Sequence, residues 1–329
     1  MAATIRHVAR AAGVSPSTVS RALAREELVS PPTRERVLRA AAKLGYQPSR
    51  VARALVTGRT GNLGLIVPDL ANPFFPGVVK GMQARVHAAE QAVFVADSDE
   101  DAAAELGLAR SLARQVDGLV LCSPRISEDE IRALAEHIAV VLMNRRVGKI
   151  AAVTVDNGDG MRQAIAHLAA LGHRRVAHVA GPAGSWSAIQ RVTGLRTAAG
   201  AADLELVEVG TFPPRFESGV AAADLVLASG ATAVVAYNDV VALGLLSRFS
   251  DRRIDVPGRI NVVGCDDIAM AAMAKPALTS VAIPKEQAGR AAADLLLHVL
   301  DRGGTDDGTE GTQVELPAQL MVRGSTGPV

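Results

Sequence analysis

The sequence predicts two architectures in one chain: a small all-α head carrying a helix-turn-helix, then an α/β body of parallel sheets divided into two lobes. Three observations predict it. Up to Gly45, apolar side chains recur at helical spacing between glycine stops. From Asn62 onward, apolar runs of strand length alternate with helical segments. The charge also changes sign between the two parts. Through Thr60 there are eleven Lys/Arg against three Asp/Glu, whereas the remaining residues carry 24 against 31. The near-balanced totals of 35 and 34 therefore conceal a basic head on an acidic body, and an anionic partner is expected for the head alone.

In the head, Ile5, Val8, Ala9 and Ala12 lie on one helical face before Gly13 breaks the pattern. Ser15 offers an N-cap hydroxyl and Pro16 suits the first helical turn, where its missing N–H costs nothing. A second helix should run to about Ala24 with Val19, Ala22 and Leu23 inward, and a third from about Thr33 to Leu44 with Val37, Ala41 and Leu44 inward and Gly45 as its stop. Ser49–Leu55 can form one more short helix, which is marginal alone in water and needs a partner to order it.

In the body, the runs NLGLIV, AVFVAD, GLVLC, AVVLMN, AAVTVD, RRVAHVAG, TAVVAYN and NVVGCDD read as strands buried on both faces, the signature of parallel sheets covered by helices. They are too many for one small sheet. Asp156-Asn157-Gly158 and Ile283-Pro284 are the expected crossings between lobes. The expected division is residues 1–48 for the head, 49–60 for a hinge helix and linker, and 61–329 for the body. The first lobe should take about 61–155 and 284–313, the second about 156–283 and 314–329. Gly303–Thr312 reads as a surface loop.

Several function classes fall away. Cys122 and Cys265 sit in apolar runs without Cys or His at ligand spacing, so they read as buried reduced thiols rather than a disulfide or metal site. His167, His173 and His178 share no ligand spacing on one face. Gly158-Asp-Gly160-Met-Arg-Gln163 imitates the start of a dinucleotide fingerprint, but Gln stands where close helix–strand packing needs Gly or Ala. No Walker loop or GxSxG occurs, so neither catalytic residues nor a cofactor are expected. The N-terminus lacks an apolar export segment and no run is long enough to span a bilayer, so a cytoplasmic protein is expected.

The chain resembles the LacI/GalR family of bacterial transcription regulators over essentially its whole length. The resemblance is carried by Thr4-Ile-Arg-His-Val-Ala9, Ala12-Gly-Val-Ser-Pro-Ser-Thr-Val-Ser-Arg-Ala-Leu23, Leu44-Gly-Tyr-Gln-Pro48, Asp69-Leu-Ala-Asn-Pro-Phe-Phe75, Leu171-Gly-His-Arg-Arg175 and Val263-Gly-Cys-Asp-Asp267, in that order. It implies a periplasmic-binding-protein-like body and a regulator, usually a repressor, controlled by a small molecule. His7, Val56 and Cys265 depart from the family's commoner residues: an acid, a polar or basic residue, and Tyr or Phe.

On the second helix, Pro16, Ser17, Ser20 and Arg21 face away from Val19 and Leu23, and a helix of that width fits the major groove. Arg21 suits either a guanine edge or a phosphate. Ser15 and Thr18 complete the candidate interface, and it is chiefly the resemblance that implies a place near base edges for Pro16 and Ser17. In the short segment Ala52 and Leu55 share a face flanked by Arg50 and Arg53, which fits either a plain linker or, as the resemblance implies, a hinge helix that wedges Leu55 into the minor groove. Few contacts per copy imply a homodimer on a palindromic operator in double-stranded DNA, with strong salt dependence. No heptad helix follows Ser325, so a dimer is expected over a tetramer.

In parallel sheets the carboxyl ends of strands frame ligand clefts, and Asp69, Asn144, Asn238 and Asp266 stand at such ends. The resemblance adds Asn72, Phe74 and Phe75 from the first lobe, with Ser185, Ser187 and Arg191 from the second. Of nine aromatics, Phe74, Phe75, Trp186, Phe212, Phe216 and Tyr237 fall on loops or strand ends toward the cleft. Aromatic faces beside carboxylates, amides and an arginine suit a sugar, with a nucleobase or another metabolite as the alternative effector. A sugar-binding protein without a regulatory role would share the body but not the basic head.

Overall fold

The computed structural model describes residues 3–24, 28–46, 59–303 and 311–329. It separates into two compact units, Met1–Gly61 and Asn62–Val329.

In the first unit, helices α1 (Ile5–Ala12), α2 (Pro16–Ala24) and α3 (Pro31–Lys43) close a core of Val8, Ala9, Ala12, Val19, Ala22, Val37 and Ala41. Gly13 ends α1 at φ 65°, a left-handed conformation that only glycine adopts without strain. Two details differ from the sequence expectation. Helix α3 begins two residues earlier, because Pro31 and Pro32 occupy a helix start where no N–H is required. Leu44 is 40% exposed rather than inward, because the helix ends at Lys43 and the chain leaves the helical path there. His7 replaces the usual acid yet still closes the helix start, since its Nδ1 accepts from the backbone N–H of Thr4 at 3.4 Å, as the third residue of a capping box does.

The second unit contains two six-stranded sheets. The first comprises β1 (Asn62–Val67), β2 (Ala92–Asp97), β3 (Gly118–Cys122), β4 (Ala139–Met143), β5 (Ala152–Val155) and β11 (Gln313–Leu316), in spatial order β11-β5-β4-β3-β1-β2 and parallel throughout. The second comprises β6 (Arg175–Ala180), β7 (Glu205–Thr211), β8 (Ala233–Ala236), β9 (Asn261–Asp266), β10 (Thr279–Ala282) and β12 (Gln319–Met321), in order β12-β10-β9-β8-β6-β7. Only β12 runs antiparallel to its neighbour, β10. The strand ending at Leu316 pairs with β5, so the last crossing between lobes follows Leu316 rather than residue 313. Strands β7 and β10–β12 escaped the sequence reading. Edge strand β7 sets Glu205 and Glu208 among its apolar residues, and the others are only three or four residues long with polar residues in each.

Helices α4 (Phe74–Ala88), α5 (Ala102–Leu112), α6 (Glu128–Ala135) and α12 (Lys285–Asp301) belong to the first lobe; α7 (Asn157–Ala170), α8 (Trp186–Ala201), α9 (Phe216–Ala228), α10 (Asp239–Asp251) and the short α11 (Ala269–Met273) belong to the second. Close helix pairs explain several glycines. A Cβ on Gly289 would collide with the backbone oxygen of Val78, and one on Gly219 with that of Val241, so α4/α12 and α9/α10 touch backbone to backbone. In the segment that resembled a dinucleotide loop, a Cβ on Gly194 of α8 would meet the Gly158 backbone, so α7 and α8 also approach closely there, whereas Gly160 makes room for the Val281 and Ala318 side chains. Both cysteines are buried free thiols. Among the described residues, no helix is long and apolar enough to cross a membrane.

Candidate functional site

Each sheet reverses its strand order at one place. In the first lobe the reversal lies between β1 and β3, and in the second between β6 and β8. Helices leave opposite faces of the sheet there, which opens a crevice beyond the carboxyl ends. The residues leaving those ends are Pro68–Asn72 and Ser123–Arg125 in the first lobe, and Gly181–Ser185 with Tyr237–Asn238 in the second.

Arg191, one turn into α8, is the centre of the second-lobe site. Its Nε donates to Asn157 Oδ1 at 2.9 Å, Nη1 to the Tyr237 backbone oxygen at 2.7 Å, and Nη2 to Asp266 Oδ1 at 3.1 Å. The guanidinium also lies 5.0 Å from the centroid of the Tyr237 ring. Arg191 and Asp266 are almost fully buried, at 8% and 6% side-chain exposure. Burial pushes the Asp266 carboxyl above its usual range, and the charge and hydrogen bond of Arg191 oppose that push. Asp266 adopts φ 110°, which L side chains rarely take.

Around this pair, Ser185 caps α8 by accepting from Ala188 N at 3.2 Å, and its Oγ lies 3.3 Å from the Tyr237 hydroxyl. Asn238 caps α10 through Oδ1, accepting from Val241 N at 3.0 Å. Its Nδ2 is buried with no partner among the described residues. Asp239 lies deeper. Its carboxylate accepts from Ser280 Oγ at 2.6 Å and from Ile268 N at 2.8 Å. Burial, with the nearby Asp266 charge, pushes its pKa up to about 8.

Two cavities open between the lobes. One, about 390 Å³, is lined by Asp69, Asn72 and Asp99 of the first lobe and by Arg215, Phe216 and Val240 of the second, among others. The other, about 490 Å³, lies between Glu100 and Arg125 on one side and Pro182, Thr211, Phe212 and Pro213 on the other. Arg215 lines both and donates to Asp99 at 2.9 Å across the lobes.

Asp69 and Asn72 thus reach a cavity, although each also accepts a local backbone N–H, from Ala71 and Phe74. Phe74 and Phe75 pack edge to face, 5.1 Å between centroids, inside the first-lobe core and line neither cavity. Asn144 is buried at φ 55° and donates to Ser123 Oγ at 3.1 Å. Ser187 is buried and Trp186 half-buried; neither lines a cavity. Sequence reasoning missed Asn157 and Arg125 as site residues. Asn157 was legible only as part of a lobe crossing, and Arg125 stands three residues beyond its strand, past the Ser123-Pro124 turn rather than at the strand end itself.

On the head, Ser15, Pro16, Ser17 and Arg21 are exposed, while Thr18 and Ser20 are half-buried. The Ser15 hydroxyl accepts from Thr18 N at 3.1 Å and also contacts Ser17 Oγ and Thr18 Oγ1, so it caps α2. Arg21 makes no ion pair or side-chain hydrogen bond among the described residues. Arg50, Ala52, Arg53 and Leu55 lie outside the described residues.

Residues 4–49 match the family described as bacterial regulatory proteins, lacI family, and residues 165–326 match a periplasmic binding protein-like domain. The chain is 38% identical to the HTH-type transcriptional regulator CelR of Thermobifida fusca, over 98% of each chain. The chain belongs to the lacI family of bacterial regulatory proteins. As a lacI-family member it is a DNA-binding transcription regulator, and the matched relatives are regulators rather than enzymes. A second relative, catabolite control protein A of Priestia megaterium, is 30% identical over 99% of this chain and 100% of its own length. Among solved structures, a lac repressor dimer bound to operator and the anti-inducer ONPF superposes with a TM-score of 0.86 at 28% identity, covering 99% of this chain and 100% of the other. A CelR–cellobiose complex superposes at 0.73 with 32% identity, covering 98% and 99%.

Proposed function

We propose that this regulator is a cytoplasmic repressor that binds a palindromic operator as a homodimer and is controlled by a sugar held around Arg191, Asp266 and Asn238. The observation that carries the sugar reading is the Arg191 cluster: a buried guanidinium and carboxylate fixed to one another, beside a buried Asn238 amide nitrogen with no partner among the described residues. Hydroxyl groups both donate and accept, so a polyol can satisfy a carboxylate, an arginine and an amide together, which an apolar ligand cannot. The relatives support the same reading, since CelR is seen with cellobiose and other lacI-family regulators with ribose. The lac repressor structure, a dimer on operator, supports the assembly.

Arg21 and its neighbours Pro16, Ser17 and Ser20 are the proposed base-reading face, with Ser15 and Thr18 fixing the helix start that presents it. Residues 49–55 are the proposed hinge, folding on DNA and inserting Leu55. Control then requires the sugar to bind one arrangement of the lobes more tightly than the other, because a ligand with equal affinity for both shifts nothing.

The test is a thermal-shift screen of the full chain against sugars and nucleobases, followed by operator titration with and without the best ligand. A sugar that raises the melting temperature and changes operator affinity is the expected result. Stabilisation by a nucleobase and by no sugar would overturn the effector, and failure to prefer any palindromic site over random DNA would overturn the operator reading.

A further inference from the structure

Opposite the second-lobe site, the first lobe presents a built ion pair that the sugar reading leaves unused. Arg125 Nε donates to Glu100 Oε2 at 2.6 Å, and Nη1 donates to the Ser123 backbone oxygen at 2.7 Å. The Arg125 side chain is only 9% exposed and that of Glu100 17%. Both line the larger interlobe cavity, and Nη2 of Arg125 makes no hydrogen bond among the described residues.

The loop that carries Arg125 is held from three sides. The buried Glu105 carboxylate accepts from the backbone N–H of Arg125 at 2.7 Å. Arg145 donates to the backbone oxygens of Pro124 at 3.0 Å and Ile126 at 2.8 Å. Ser123 turns the chain at φ 50°. So much support for one short strand-end loop fixes the Arg125 head group at the cavity wall, as recognition requires.

Across the cavity stand Phe212 and Pro213, an apolar wall. Pro182 and Gly184, which line the cavity, lead into Ser185, whose Oγ lies 3.3 Å from the Tyr237 hydroxyl, and the Tyr237 ring lies against Arg191, so this loop joins the two places. The arginines of the cavity are each paired: Arg125 with Glu100 in the same wall, and Arg215 with Asp99, which lines the neighbouring smaller cavity. An anionic ligand would meet two carboxylates along with the two guanidiniums, whereas a neutral polyol finds donors, acceptors and a flat apolar face.

We propose that Arg125 and Glu100 form a second ligand subsite, which takes a further ring of a neutral oligosaccharide whose first ring sits at Arg191 and Asp266. The inference rests on the sugar reading above. At about 490 Å³ the cavity is within the range of small-molecule sites and adds to the polar cluster rather than duplicating it.

The experiment is calorimetric titration of the full chain with glucose, cellobiose, cellotriose, maltose and lactose, on wild type, Arg125→Ala, Glu100→Gln and Arg191→Ala. A disaccharide should bind at least tenfold more tightly than glucose to wild type, and Arg125→Ala should erase that advantage while operator affinity stays unchanged. Because Arg125→Ala also loosens its loop, Glu100→Gln is the conservative check. It keeps the shape but unmasks the guanidinium, so cellobionate should gain about tenfold relative to cellobiose. A disaccharide advantage that survives Arg125→Ala, or an unchanged cellobionate ratio in Glu100→Gln, would overturn the second subsite and leave the sugar reading standing. Glucose binding as tightly as every disaccharide would do the same. No sugar binding to wild type would overturn both.

Discussion

Replacing Arg191 by alanine tests the site and its energetics together. The guanidinium serves three buried acceptors, the oxygens of Asn157, Tyr237 and Asp266, so its loss leaves all three without that donor. Breaking a buried pair by removing one partner costs about 3–5 kcal/mol, a hundredfold or more in the folded-to-unfolded ratio. The cost depends on pH. Burial already raises the Asp266 carboxyl and Arg191 is the main influence opposing it, so in the variant the carboxyl rises further and takes up a proton more readily. An acid whose pKa is higher in the folded state binds more protons folded than unfolded, so its contribution to stability falls as pH rises. The deficit of Arg191→Ala should therefore be larger at pH 8 than at pH 5. Urea unfolding of the full chain followed by circular dichroism at both values measures it, with sugar-dependent melting shifts recorded in parallel. Arg191→Lys, which keeps the charge but not the planar fork, should recover only part of the loss. A variant as stable as wild type, or one with the same deficit at both pH values, would refute the buried-pair argument. A normal sugar response would remove Arg191 from the site.

Three further outcomes are expected. Asp239, with its pKa pushed up to about 8, contributes stability that is lost as pH rises from about 4 through about 8; Asp239→Asn should flatten the melting temperature over pH 5–8, and an unchanged slope would show the acid is not the source. Gly289→Ala gains about 1 kcal/mol of helix propensity but drives a methyl into the Val78 backbone oxygen, an overpacking cost of about 3 kcal/mol or more where neither backbone can yield; a melting temperature at or above wild type would contradict the helix contact. Arg21→Ala should cost about 1–3 kcal/mol at the operator and less on scrambled DNA in a gel-shift titration; equal losses on both would assign Arg21 to phosphate.

Helical spacing and glycine stops marked α1–α3 because a three-helix core is local, each helix needing only its own apolar stripe. The buried strands β1, β3, β4, β6, β8 and β9 were legible as apolar runs because helices cover both faces of the sheet and leave their side chains mostly apolar. Strand β7 was not, because an edge strand half in water carries Glu205 and Glu208 and loses the apolar signature. Leu44 was misjudged as inward because the helical pattern continues one residue beyond the helix itself.

The site divides similarly. Asp69, Asn238 and Asp266 announced themselves as polar residues ending apolar strands, and the sequence alone determined that they belong to one kind of place. It did not determine which of them touch. Arg191, Asn157, Tyr237 and Asp266 come from four elements separated by up to 109 positions, and only the packing of α8 against the ends of β8 and β9 brings them within hydrogen-bond distance. Arg125 and Glu100 are a tertiary matter altogether. They are 25 positions apart on separate loops, and the strand order β3-β1-β2 sets those loops side by side at the mouth of the crevice. Composition and periodicity record what each residue buries, whereas strand order decides which buried charges meet.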